Sequence, residues 1–380
     1  MSRLGDRDSV TRSRFSLDGA RPARLRVANG LVVLCNNSAG PNCNPIANHP
    51  RELEMPLPDI PSTMLRVLAD FASRQGGSGS LLILTHHRVV PSHDALLPDE
   101  PDASAFAALV DAIHATFNVL PLAEALALRS EGRLPPRAVS ITFDDGYANN
   151  AEVALPILTR RGLRATFYIA TGYLNGGRMW NDSVIEAVRL ASRLDLTDLR
   201  LGNHLLPGVV ERRKAIDEIL EALKYRELDE RVSIAAEIAR RAGLAPESEL
   251  MMSDDQVRKV AEAGMEIGAH TVSHPILTRI DRMAAKREIE ESKRRLQQVT
   301  GVKVSTFAYP NGRPGKDYGR EHVEIVRDAG YASAVTTAWG CVTSDASPYE
   351  LPRISPWGAT RFRYLLRIAR SYFDRSPAVA

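Results

Sequence analysis

With 380 residues, 44% of them apolar and 25% charged, the chain has the composition of an ordinary soluble globular protein, large enough for one sizeable α/β domain with appendages or for two domains. Its net charge of +3 gives no reason to propose a nucleic-acid partner. The cysteines Cys35, Cys43 and Cys341 are odd in number and form no C-x-x-C pair, so they read as thiols and not as a disulfide framework.

The N-terminus is polar, and its best apolar run, Leu31 to Cys35, is too short for a signal segment or a spanning helix. A cytoplasmic location is therefore expected for the chain as written, with a misassigned start or export of a longer precursor as the alternative. Residues 1 to about 60 are rich in Arg, Ser, Asn and Pro without a sustained period and are read as irregular. One short amphipathic helix, Met64 to Ser73, is expected before a flexible Gly76–Ser80 joint.

From Leu81 apolar runs of strand length alternate with segments of helical period: strand Leu81 to His86, helices Ala103 to Phe117 and Leu122 to Arg129, strand Ala138 to Phe143, a helix from about Asn150 to Arg161, strand Ala165 to Ala170. Ser253 caps a helix that Gly264 ends, and strand Met265 to Ala269 follows. Helix Arg282 to Val299, strand Val304 to Tyr309, helix His322 to Ala329 and strand Tyr331 to Thr336 continue the rhythm, which predicts parallel strands with covering helices. Between about 172 and 250 it breaks into a polar hairpin or loop, Leu194 to Pro207, and a charged helical stretch, Val209 to Arg241. The expected organisation is an arm (1–75), a main domain (76–360) with that excursion, and a C-terminal amphipathic helix and tail (361–380). The tail helix, Arg361 to Phe373, is basic on one face; it either closes the fold or makes a peripheral contact with an anionic membrane.

Two segments carry the chemistry. Val139–Tyr147 delivers Asp144 and Asp145 from an apolar strand into the turn at Gly146, and two adjacent carboxylates need a cation beside them. Gly268–Pro275 then offers His270 and His274 after another apolar run. Two imidazoles and one carboxylate can hold a divalent metal, which leaves the second carboxylate for proton transfer. Alone, Asp-Asp-Gly reads equally as a turn with a helix-capping Asp, and H-x-x-x-H is commonly structural. The residues between the histidines are not those of an H-E-x-x-H metalloprotease helix, and Pro275 biases His274 away from helix.

Thr142–Gly146 followed by His270–His274 resembles the polysaccharide deacetylases, relatives of the nodulation-type chitooligosaccharide deacetylases, over roughly Leu81 to Trp357. The resemblance implies a distorted (β/α) barrel with a helical insertion, a divalent metal, zinc by preference, held by Asp145, His270 and His274, Asp144 as general base, and the Tyr147 N–H as an oxyanion donor. It further implies removal of N-acetyl groups from an amino-sugar polysaccharide or oligosaccharide. The family's F-R-x-P-Y-G arginine is absent at Ala308, and Arg353 is the candidate replacement cation. A family histidine near Leu351–Ile354 is absent too. The strand Leu82–Val89 is similar to that of a permuted branch acting on the poly-N-acetylglucosamine of biofilm matrix, which makes His87 the candidate acid, with His86 as its rival. Trp180, Tyr309 and Trp357 are candidates for a sugar-facing wall, with buried core as the alternative for each. The rival functions are hydrolysis of a non-sugar amide or cyclic ureide, and non-catalytic carbohydrate binding.

Overall fold

The computed structural model describes residues 25–28, 31–34, 62–75, 80–246, 250–355 and 361–374. Strands β1 (Leu25–Ala28) and β2 (Leu31–Leu34) form an antiparallel pair in the N-terminal unit, Met1–Pro58. The rest of the sequence-predicted irregular arm before residue 62, and the Gly76–Gly79 part of the joint, lie outside the described residues.

The second unit, Asp59–Ala380, contains α1 (Ser62–Gln75), β3 (Leu81–His86), α2 (Ala103–Thr116), β4 (Asn118–Val119), α3 (Leu122–Ser130), β5 (Ala138–Phe143), α4 (Leu155–Thr159) and β6 (Thr166–Ile169). Next come α5 (Trp180–Leu190), β7 (Arg193–Leu196), β8 (Gly202–Leu205), α6 (Val209–Leu223), α7 (Leu228–Arg241), α8 (Asp254–Glu262) and β9 (Glu266–Ala269). The series ends with α9 (Arg282–Thr300), β10 (Thr306–Ala308), α10 (Arg320–Asp328), β11 (Ser333–Trp339), β12 (Leu351–Arg353) and α11 (Arg361–Ser371).

The strands of this second unit other than β7 and β8 form one parallel sheet in the order β12-β11-β10-β9-β6-β5-β3, with β4 alongside the first residues of β5. The sheet curls until Ile354, one residue past β12, meets β3: the Thr85 N–H donates to Ile354 O at 2.9 Å and the Ile354 N–H to Ile83 O at 2.9 Å. Strand alternation explains why the runs are apolar throughout. Leu81, Ile83, Ala138, Tyr168, Ala308, Val335 and Leu351 fill the inside of the curl, while Leu82, Val139, Ile141, Phe143, Phe167 and Ile267 lie under the helices. Each such buried Leu, Ile or Phe contributes about 1.5–3 kcal/mol. Phe143 stacks on Phe167 with centroids 4.8 Å apart, which locks the neighbouring strands β5 and β6 together.

The excursion is a helical insertion with its own small core, including Val184, Val188, Leu196, Ile216, Ile219 and Ile238. Strands β7 and β8 form the polar hairpin, with exposed and buried residues alternating along β7. Arg212 ties α6 to the end of α5 by donating to the Arg189, Ala191 and Val188 carbonyls, groups that a helix terminus leaves unsatisfied.

Two expectations are corrected, the boundary at residue 75 and the start of the helix at Asn150. The boundary at residue 75 is too late, because α1 inserts Leu65, Ala69 and Ala72 into the main core and packs on α2 and α11. The apolar face of α11 is spent in that same core through Leu365, Ile368, Ala369 and Tyr372, whose hydroxyl donates to Ala138 O at 2.8 Å. The helix expected from Asn150 begins as a π-helical turn, Asn150–Ala154, before α4. Strands β4 and β12 were not expected from the sequence; both are very short, and β12 contains Pro352. Among the described residues no helix is long and apolar enough to cross a membrane.

Candidate active site

Strand β5 ends at Phe143, and the two carboxylates follow at its C-terminal end, where α/β barrels collect functional groups. The Asp144 N–H closes the ladder by donating to His86 O at 2.9 Å. The chain then turns through two left-handed residues, Asp145 at φ 75° and Gly146 at φ 86°. A side chain at Gly146 would be strained by that φ and would press on Ile169 Cγ2, 2.9 Å from an added Cβ. Strain of this kind in Asp145 persists only where the surroundings over-determine it.

Asp144 meets Arg353 in a buried two-pronged ion pair: Nη1 donates to Oδ1 at 2.7 Å and Nη2 to Oδ2 at 2.6 Å. Arg353 is itself held by Nε donation to Thr336 O at 2.9 Å and by Nη1 donation to Thr142 Oγ1 at 3.2 Å. Burial pushes the Asp144 carboxyl up, but the Arg353 charge and hydrogen bonds outweigh it and hold the group below its usual range. The cation missing at Ala308 thus comes from β12.

Asp145 faces the histidines. Its Oδ1 lies 3.5 Å from Nε2 of His270 and 3.5 Å from Nε2 of His274, and the rings of the two histidines are 4.7 Å apart. One ligand atom from each of the three residues falls within 4.8 Å of the others. His270 Nδ1 sits 2.7 Å from Ala308 O, so that nitrogen carries the proton and Nε2 is left as a donor toward a metal. Burial and then the neighbouring His270 drive the His274 pKa down to about 3, which keeps its ring neutral as a ligand must be. Both Thr271, at φ 65°, and His274, at φ 52°, are left-handed. Glu288 fixes the loop that carries them, accepting from the Val272 N–H at 2.7 Å, the Ser273 N–H at 2.8 Å and Ser273 Oγ at 2.6 Å. Two imidazoles and a carboxylate, convergent, with Asp145 and His270 buried and His274 half-buried, fit a divalent ion with open coordination positions.

The other sequence-predicted residues divide. His87 is exposed beside the site, and its charge lowers both the Asp144 and Asp145 carboxyls. His86 points the other way, onto Phe106 and Phe143, with centroids 5.6 and 5.5 Å away, and burial followed by the His87 charge lowers its pKa to about 4. The Tyr147 N–H has no acceptor among the described residues, whereas the flanking Ala148 N–H bonds Leu250 O at 2.8 Å. Tyr309 is no part of a sugar wall. Two residues from Phe307 on the outward side of β10, it is 1% exposed and stacks on Tyr318 at 3.9 Å. Trp180 opens α5 half-buried in the insertion, and Trp357 lies outside the described residues.

Sequence reasoning missed a second layer. The Tyr147 hydroxyl donates to Asp182 Oδ2 at 3.1 Å, Arg88 Nη1 approaches Asp182 Oδ1 at 3.5 Å, and the Arg88 guanidinium lies 4.7 Å over the Tyr147 ring. Burial raises the Asp182 pKa to about 7, with Arg88 opposing and Asp145 reinforcing the shift. Nothing in the spacing marks Asp182 or Glu288, since each is one of several charges along its helix. Arg88 had a signal, being adjacent to His86 and His87.

A curled parallel α/β barrel with two aspartates at one strand end and two histidines at another defines a class that the sequence comparisons name. Residues 131–334 match the polysaccharide deacetylase family model, and the chain belongs to that family. The match includes Asp144, Asp145, His270 and His274 but neither His87 nor Arg353. The chain is 20% identical over 274 residues, 72% of its length and 70% of the relative's, to YxkH of Bacillus subtilis (strain 168), a protein assigned to the polysaccharide deacetylases. Its fold is similar to that of the Streptococcus pyogenes deacetylase PplD, solved with acetate (TM-score 0.51, 19% identity, 76% of this chain and 98% of that one). It is also similar to that of BC0361, a polysaccharide deacetylase from Bacillus cereus (TM-score 0.50, 16% identity, 76% of this chain and 69% of that one).

Proposed function

We propose that the protein is a metal-dependent N-deacetylase that hydrolyses the acetamide of an amino sugar within a polysaccharide or oligosaccharide, releasing acetate and a free amine. The observation that carries this reading is the clamped Asp144 carboxylate immediately next to the Asp145, His270 and His274 donor set. Asp145, His270 and His274 would hold the ion, for which zinc suits the two-nitrogen, one-oxygen set. When bound, the ion supplies polarisation of the acetamide carbonyl and acidification of the attacking water.

Asp144, ionised because Arg353 holds its pKa down, accepts the proton of that water as it attacks. The Tyr147 N–H donates to the oxygen on which charge develops, a contact worth about 10²–10³-fold in comparable sites. His87 protonates the departing amine, which prevents its expulsion as an anion; His86, walled in by Phe106 and Phe143, has no path to it. The insertion supports Tyr147 through Asp182 and so fixes the backbone that presents the N–H. The seating of α11 in the core favours a saccharide over a membrane surface as the partner.

Acetate release from a panel of N-acetylated saccharides, measured with zinc, cobalt or manganese and with chelator, tests the reading. Turnover restricted to metal-loaded protein supports it. Hydrolysis of a cyclic ureide or acylated amine with no saccharide turnover would transfer the site to the rival amidohydrolase function.

A further inference from the structure

The insertion brings to the site a cation for which the reaction above has no use. Arg231 on α7 is 3% exposed, and among the described residues it pairs with no carboxylate. One terminal nitrogen donates to Lys224 O at 2.9 Å, while Nε is buried without a partner. The guanidinium lies 5.0 Å over the ring of Trp180. Met179, next to Trp180, packs with Tyr147 and Tyr173, and the Tyr173 hydroxyl donates to Ser273 O at 2.8 Å in the loop that carries His274. The guanidinium on Trp180 therefore stands on the side of the site that Tyr147 and Tyr173 line.

A guanidinium does not lose its proton, and burying it without a counter-ion is costly. The Trp180 face offsets only about 0.5–2 kcal/mol of that. Arg88 and Arg353, the other buried arginines around the site, each have a carboxylate, Asp182 and Asp144. Arg231 is thus the one of the three with no carboxylate beside it, and its unpartnered N–H donors have the geometry that fits a carboxylate or phosphate.

We propose that Arg231 is a specificity-determining residue that binds an anionic substituent, carboxylate or phosphate, on the N-acetylated saccharide, with Trp180 packing against the sugar that carries it. This rests on the N-deacetylase reading. The anion supplies the missing counter-ion, so the parent selects charged saccharides through KM and leaves kcat to the metal-side machinery.

The test compares the parent, Arg231→Gln and Arg231→Lys on a neutral N-acetylglucosamine trisaccharide, a glucuronate–N-acetylglucosamine tetrasaccharide and N-acetylglucosamine 1-phosphate. Acetate release is paired with tryptophan-fluorescence titration of each saccharide into metal-free protein. Arg231→Gln should raise KM and the dissociation constant for one anionic substrate by about tenfold or more, and leave kcat and the neutral trisaccharide within about twofold. Arg231→Lys should recover part of the loss, and the substrate that responds identifies carboxylate or phosphate as the anion. No preference of the parent for either anion, or equal losses on neutral and charged substrates, overturns the proposal. Arg231-dependent anion binding without acetate release from any substrate would uphold it and sink the deacetylase reading, whereas acetate release with binding indifferent to Arg231 does the reverse.

Discussion

Arg353→Met in place of the parent residue tests the electrostatic argument for Asp144 directly. The change removes the two charge-assisted bonds at 2.7 and 2.6 Å and strands a carboxylate whose side chain is 4% exposed. Breaking a buried pair from one side costs about 3–5 kcal/mol, because the remaining charge is left uncompensated. The pH dependence has a definite sign. In the parent the Asp144 pKa is depressed, so its contribution is complete above the unfolded value of about 3.9 and is lost as pH falls through the folded value. Without Arg353 burial prevails, the folded pKa rises above the unfolded one, and the penalty grows as pH climbs from about 4 through the raised value. Denaturant unfolding in chelator at about pH 5 and about pH 8 should therefore show the larger loss at the higher pH. Adding Asp144→Asn should return part of that loss, with a coupling of about 2 kcal/mol or more. A loss equal at both pH values, together with additivity within about 0.5 kcal/mol, would refute the reasoning.

The metal assignment predicts that His270→Ala and His274→Ala lose the ion, read by metal analysis after dialysis, while Asp144→Asn keeps it and loses turnover by about 10²-fold or more. His87→Ala should lose turnover on an acetamide far more than on an activated acetyl ester, whose leaving group needs little protonation; a larger kinetic defect in His86→Ala would count against His87. Asp182, with its pKa raised to about 7, binds a proton in the folded state that the unfolded chain has released, so metal-free stability should fall as pH rises from about 4 to about 7, by up to about 4 kcal/mol. Asp182→Asn should flatten that slope in a melting-temperature series. Deleting residues 1–75 strips Leu65, Ala69 and Ala72 from the core and should lower the melting temperature by several degrees.

What the sequence revealed follows from what local pattern can encode. Strand Ala138–Phe143 and the capped helix after Ser253 were legible because an uninterrupted apolar run, or a cap followed by a periodic face, is a local signal. Asp144, Asp145, His270 and His274 were legible because two motifs sit at strand ends. Strand β12 was hidden by its brevity and by Pro352, although Arg353 on it completes the site. Tyr309 misled because an aromatic residue next to Pro310 looks the same whether it faces sugar or helix, and only strand parity separates the two. Asp182, Glu288 and Arg231 are placed by tertiary packing, so their helices read as ordinary charged surface until the insertion is folded onto the barrel.

The curl of the sheet closes along a thinly stitched line, where two backbone hydrogen bonds between β3 and Ile354 stand in for a ladder and Leu81 exchanges two more with Val342. Asp144 belongs to the β3–β5 side of that line and Arg353 to the β12 side, so the ion pair that would prepare the proposed base also acts as a bolt across the gap. Chemistry and closure are therefore fastened by the same two side chains. An Asp144→Asn protein, expected to lose turnover on the proposed mechanism, is also a protein with its bolt loosened. The amides of Thr85 and Ile354 should exchange with solvent faster in that variant, at a position no substrate contact would explain.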